Sequence, residues 1–129
     1  MGQQQLLLII LGVIIVGVAI AVGIMMFSGQ SVSANKDAIM MDFSTLASDI
    51  YQYKIRPASM GGGNGSDAGY RIDANGPWGT GNPNAQYFVI SGFGILELVA
   101  ISKQVSGGEA ITMWDSNGKA YGSPIFIGF

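Results

Sequence analysis

The chain has 129 residues, with six Lys and Arg against eight Asp and Glu for a net charge of −2, and contains neither cysteine nor histidine. So few cations exclude the basic face that nucleic-acid binding needs. Without Cys there is no disulfide framework, thiolate metal site or Cys nucleophile, and without His the commonest general base and metal ligand is missing. Twenty glycines and 11 % charged residues are unusual for a cytosolic enzyme and suit a surface that packs against copies of itself.

Residues 1–5 form a short polar cap with Gln3, Gln4 and Gln5 in a row. Residues 6–27, LLLIILGVIIVGVAIAVGIMMF, carry no charge, and fifteen of the 22 are Leu, Ile, Val or Phe. A helix of that length rises ~33 Å, enough to cross the hydrocarbon core of a bilayer. At roughly −0.3 to −0.6 kcal/mol per large apolar residue, insertion is favoured by several kcal/mol. The cylinder is apolar on all sides, so it belongs in lipid or in a bundle of like helices. No basic residue precedes the run, and Ala19-x-Ala21, the small-x-small pair, lies inside it, so the segment does not read as a removable signal peptide. Gly12, Gly17 and Gly23 each cost ~1 kcal/mol relative to Ala in an exposed helix. Ala19-x-x-x-Gly23 is a small-xxx-small pair of the kind that lets helices approach closely. Gln3, Gln4, Gln5, Leu6, Gly12, Ile14, Gly17, Val18, Ala19 and Gly23 are the expected subunit-packing positions.

Residues 28–33 are a polar, small-residue join. From residue 34 the helical period returns. Ile39, Phe43, Leu46, Ile50 and Tyr53 form one apolar stripe, the expected helix-to-sheet packing set. Lys36, Asp37, Asp42, Asp49 and Lys54 decorate the other faces. Pro57 stops the helix and disfavours α conformation at Arg56.

Residues 58–86 are dense in Gly, Asn and Pro and read as a long loop, with residues 70–72 as one short strand within it. Beyond Gln86 the period becomes two. Strands are expected at 87–90, at 95–102 as the central strand, at 110–114 and at 120–129. Asn117-Gly118 is a hairpin signal, and Pro124 suggests an edge. The expected fold is α+β: a long N-terminal helix, apolar then amphipathic, on a small antiparallel sheet of about four strands. The expected division is an apolar helix at 1–30 and a globular domain at 31–129, made of helix 34–54, loop 58–86 and sheet 87–129.

No catalytic constellation is present. Without His or Cys there is no ordinary triad, and Glu97 and Glu109, the only glutamates, fall on strand or turn positions. The chain is not expected to be an enzyme or to bind a cofactor. Asn64, Asp67, Asp73 and Asn75 offer oxygen atoms to a hard cation, but their spacing does not match a twelve-residue calcium loop, and such residues ordinarily make turns. Asn64-Gly65-Ser66 fits the glycosylation tripeptide. Tyr70, Trp78 and Tyr87 suit either a sugar- or surface-binding platform or the pinning of the loop to the sheet.

An apolar-then-amphipathic helix, a glycine-rich loop and a small antiparallel sheet, in that order, resemble a type IV pilin. The resemblance covers the layout of the whole chain and the sequence character of about the first 30 residues. It implies a homo-oligomeric helical surface filament for adhesion, motility or contact. The helix would sit in the cytoplasmic membrane before assembly and in the filament core after it. It also implies a leader peptidase and inner-membrane assembly machinery as partners, with this chain as the mature form. The chain departs from the family pattern in lacking an acid near the helix start, a C-terminal disulfide and a proline in the apolar helix. Gly12, Gly17 and Gly23 are the candidates for local unwinding. A single-span membrane anchor bearing a small β binding domain, and a pseudopilin of a secretion system, fit the same residues.

Overall fold

In the computed structural model, which describes residues 2–72, 78, 82–92, 95–115 and 119–129, one long helix precedes a four-stranded sheet. The helix is α1 (Gly2–Ile55), and the strands are β1 (Ala85–Gly92), β2 (Ile95–Ser102), β3 (Glu109–Asp115) and β4 (Ile125–Ile127). The fold is α+β. The sheet is an antiparallel meander in the order β1-β2-β3-β4, so β2 is interior and β4 is an edge. The chain divides into two units, Met1–Ser33 and Ala34–Phe129.

The first unit is helix alone. Leu, Ile and Val carry it, and its side chains from Leu6 to Phe27 are exposed. The polar join at 28–33 is helical throughout.

In the second unit the stripe does what its spacing dictates. Ile39, Phe43, Leu46 and Ile50 are buried and form one core with Tyr87, Leu96, Leu98, Ala100 and Ala110 from the sheet. Phe43 meets Tyr87 edge to face with ring centroids 5.9 Å apart. Ala100 and Ala110 face each other across β2 and β3, which leaves room for the large helix residues. Tyr53 stands apart from this core. It is half-buried and packs edge to face on Tyr70 at 5.6 Å.

The helix ends two residues before Pro57, and a short 3-10 turn (Ala58–Met60) follows. The glycine-rich segment then folds back as a cap. The N–H groups of Gly63, Asn64 and Gly65 donate to the carbonyls of Tyr53, Arg56 and Lys54 at 2.9, 3.1 and 2.7 Å. These are carbonyls that the helix end would otherwise leave unpaired. A side chain has no room here: a Cβ on Gly62 would stand 2.2 Å from the Arg56 oxygen, and one on Gly63 would stand 1.8 Å from the Ser66 oxygen. Asn64 takes a left-handed φ of 49° within this cap, a conformation asparagine tolerates better than most residues.

The strands differ from the expected ones in several places, and β1 and β3 run one or two residues further at their ends. Residues 70–72 form no strand, because Tyr70 and Ile72 turn toward the helix-sheet core instead. The loop ends at 84, since Ala85 and Gln86 already pair with Ser102 and Ile101. The final strand is only Ile125–Ile127, with Ala120 making a single bridge to Trp114. Pro124 has no N–H for the ladder and Gly122 adopts φ 80°, so pairing cannot run through them. The Asn117-Gly118 signal lies outside the described residues.

We expect Phe43→Ala to destabilise the sheet-bearing unit by roughly 3–5 kcal/mol through loss of a buried ring. Met41→Ala, at a side chain 72 % exposed, should change stability by less than ~0.5 kcal/mol. Thermal unfolding of the full chain in detergent, followed by near-ultraviolet dichroism, checks both.

Candidate functional site: polar borders and uncovered apolar surfaces

At ~100° per residue, Asn35, Asp42 and Asp49 fall on one border of the apolar stripe and Lys36 on the other. Each border is fastened to the sheet-bearing part of the chain. The Ser102 hydroxyl donates to Asn35 Oδ1 at 2.7 Å while accepting from the N–H groups of Gln104 and Val105 at 3.2 and 3.0 Å. Asp42 Oδ2 accepts from the Tyr87 hydroxyl, from Asn84 Nδ2 at 2.9 Å and from Asn82 Nδ2 at 3.3 Å. Asp49 Oδ2 accepts from the Tyr70 hydroxyl at 2.6 Å. On the opposite border, the Lys36 ammonium lies 5.3 and 5.4 Å from the ring centres of Phe126 and Phe129. Asp42 and Lys36 are therefore not a solvated decoration of the helix: they orient α1 on the sheet. The exposed Asp49 ties the helix to the loop through Tyr70, and the signal that marks the two aspartates is the seven-residue spacing from Asn35.

The aromatic trio is part of the same fastening. Besides its bond to Asp49, Tyr70 touches Tyr53. Trp78 meets Tyr87 edge to face at 5.8 Å. The rings pin the loop to the domain and present no flat platform.

Of the four candidates for a metal site, only Asn64 and Asp67 fall among the described residues. Asn64 is exposed in the helix cap, Asp67 is half-buried and lends its carbonyl to the Tyr70 N–H, and Asp73 and Asn75 lie outside the described residues. Among the described residues no cluster of three or more acidic, His or Cys side chains could hold a metal ion. The Asn64 side chain stands on the surface, and Ser66 of the same tripeptide accepts the Ala68 N–H at 3.3 Å.

Gln3, Gln4, Gln5, Leu6, Gly12, Ile14, Gly17, Val18, Ala19 and Gly23 are all exposed in the single chain. A Cβ at Gly12, Gly17 or Gly23 would meet nothing within 4 Å. The helix is long and apolar enough to cross a membrane, and none of its most apolar window is buried within the chain. Gly12, Ala19 and Gly23 fall within ~40° of one another around the axis, one smooth flank of an otherwise bulky cylinder.

The second uncovered surface is the outer face of the sheet. Phe88, Val99, Ile111 and Ile125 pair in register across all four strands. Ile90 and Met113 flank Glu97, and Ile101 and Ile127 flank Glu109. Ile90 and Ile125 are each 57 % exposed. From strand spacing and rise the face measures roughly 400 Å², the scale on which an apolar patch marks an interaction surface. Its sequence signal is present: residues 87–90 and 95–101 are nearly continuous apolar runs, the pattern of strands covered on both faces.

No family model, no curated protein and no solved structure matches the chain.

Burial first, and then the hydrogen bond and negative charge of the facing aspartate, raise Tyr70 and Tyr87 well above the ordinary phenol value of 10.0. In the unfolded chain both phenols ionise near ~10, so above that pH the unfolded state binds fewer protons than the folded one. The stability they contribute is complete below pH ~10 and is lost as pH rises beyond it. A series of melting temperatures from pH 8 to 11.5 should fall steeply above pH 10, and the double variant Tyr70→Phe, Tyr87→Phe should flatten that fall.

Proposed function

We propose that the chain is a structural subunit of a helical, type IV pilus-like surface filament, held together by bundled N-terminal helices. The observation that carries this reading is the change in α1 along its length. Residues 6–27 are apolar on every side and exposed among the described residues, whereas residues 34–54 have one stripe, and that stripe is already used. A plain anchor needs the first feature but not a helical continuation that forms the main wall of the outer domain. The low charge of that domain and its uncovered sheet face also favour repeated contact between copies.

In this reading Gly12, Gly17, Ala19 and Gly23 let neighbouring helices approach, and Leu6, Ile14 and Val18 fill the spaces between them. Before assembly the same segment spans the membrane, with leader peptidase and assembly machinery as partners. The glutamines take the place of the family's acid. In a filament core the first helical N–H groups have no water, and each needs an acceptor. Gln3, Gln4 and Gln5 project ~100° apart, so a side-chain carbonyl faces a neighbour in any packing.

Two experiments test this. Val18→Asp should cost on the order of 2.5–3.5 kcal/mol at the centre of an apolar environment and abolish filaments in negative-stain micrographs while the melting of the outer domain is unchanged. Normal filaments from this variant would sink the bundle. Replacing Gln3, Gln4 and Gln5 together with Leu leaves donors unpaired, at ~1–3 kcal/mol for each, and should sharply reduce filament yield with membrane insertion intact. A triple variant that assembles like the parent would remove the glutamines from the subunit contact.

A further inference from the structure

The outer sheet face needs an occupant, and its chemistry restricts the choice. None of the four strands contains a lysine or arginine, while Glu97 and Glu109 sit within the apolar rows. Pairing two such faces directly would bring two glutamates from each copy into one apolar interface with no cation among them. Like charges in an interface oppose association strongly. The complementary surface is apolar with a positive charge, and the chain carries one. At the end of α1, Tyr51, Ile55 and Met60 are 48, 62 and 72 % exposed, and Arg56, the next residue after Ile55, is exposed as well. Tyr51 and Ile55 lie one turn apart on one helix face. The glycine cap, with its bonds to the Tyr53, Lys54 and Arg56 carbonyls, fixes the shape of this knob, so little ordering entropy is lost when it docks.

We infer that copies of this chain meet through a heterologous contact: the knob at the end of α1 on one copy docks on the outer sheet face of the next, with Arg56 beside Glu97. This deepens the filament reading and rests on it. A contact between two different patches repeats without closing, which is how head-to-tail interfaces generate open helical arrays. The face of roughly 400 Å² is about half of what a standard interface buries on each partner. Alone the contact is weak. It becomes effective when the apolar helices of both copies already hold them side by side at high effective concentration.

Because the chain has no native cysteine, the contact can be mapped with single thiols. Met60→Cys and Met113→Cys variants of the full chain would be assembled separately and as an equal mixture, then treated with a short bis-maleimide. Each variant's folding would be checked by its melting temperature. The mixture should give a cross-linked dimer containing one chain of each kind, and neither variant alone should. Adding Arg56→Glu to the Met60→Cys chain should reduce that product several-fold. Glu97→Arg in the Met113→Cys partner should restore it. Self-cross-linking of Met113→Cys would mean face-to-face pairing and would overturn the inference, as would filaments whose mixture yields no cross-link. Negative-stain microscopy of the same samples separates the two levels. Filaments without the mixed product leave the filament reading standing and remove the contact, while the mixed product without filaments supports the contact and removes the filament.

Discussion

The constraint on which everything else depends is apolar surface that no described residue of the chain covers. Within Met1–Ser33 no sheet or second helix is available to cover the side chains of residues 6–27. A helix apolar on all sides is stable only where its whole circumference is out of water. Lipid satisfies this, and so does a ring of identical helices. The smooth flank at Gly12, Ala19 and Gly23 adds nothing to membrane affinity, since glycine contributes little on transfer and costs helix stability. What it supplies is closeness of approach, which matters only if another helix is there.

Within Ala34–Phe129 the same problem has an internal solution on one side and none on the other. The inner face of the sheet and the stripe of α1 cover each other, and the borders are set by hydrogen bonds from tyrosine and serine hydroxyls and amides to Asp42, Asp49 and Asn35. The buried tie at Asn35 and the half-buried ties at Asp42 fix one rotation of the helix on the sheet, and the exposed tie at Asp49 adds to them. Hydrophobic contact alone would tolerate several, because it is non-directional. A domain so oriented presents its outer sheet face and the knob at the end of α1 in a constant geometry. Repeated assembly requires such constancy.

Much of the architecture is legible in the sequence, because it follows from local periodicity. The spacing of Ile39, Phe43, Leu46 and Ile50, the stop at Pro57 and the apolar run from Ile95 to Ser102 each dictate one element. The borders carry no such local signal. Asp42 and Asp49, taken one at a time, look like ordinary solvent-facing acids, and their partners Tyr87 and Tyr70 lie 45 and 21 residues away. The cap has no local signal for a related reason: Gly62 and Gly63 mark a turn, but their proximity to the Arg56 and Ser66 carbonyls exists only once the chain has reversed. Alternation from Ala120 onward implies a longer final strand than Ile125–Ile127, because alternation carries no information about the missing N–H of Pro124. The outer sheet face is legible as continuous apolar runs, since such runs imply strands with something to cover on both faces.

The central claim is that the apolar helices serve one another after assembly and not lipid. The most direct measurement is cryo-electron microscopy, with phospholipid analysis, of material sheared from the surface of cells expressing the full chain and collected without detergent. Lipid-free filaments composed of this chain, with a core of bundled helices on the axis and sheet domains outside, are the expected result. Recovery of the chain only from detergent-solubilised membranes, with no filament in the sheared fraction, would contradict it.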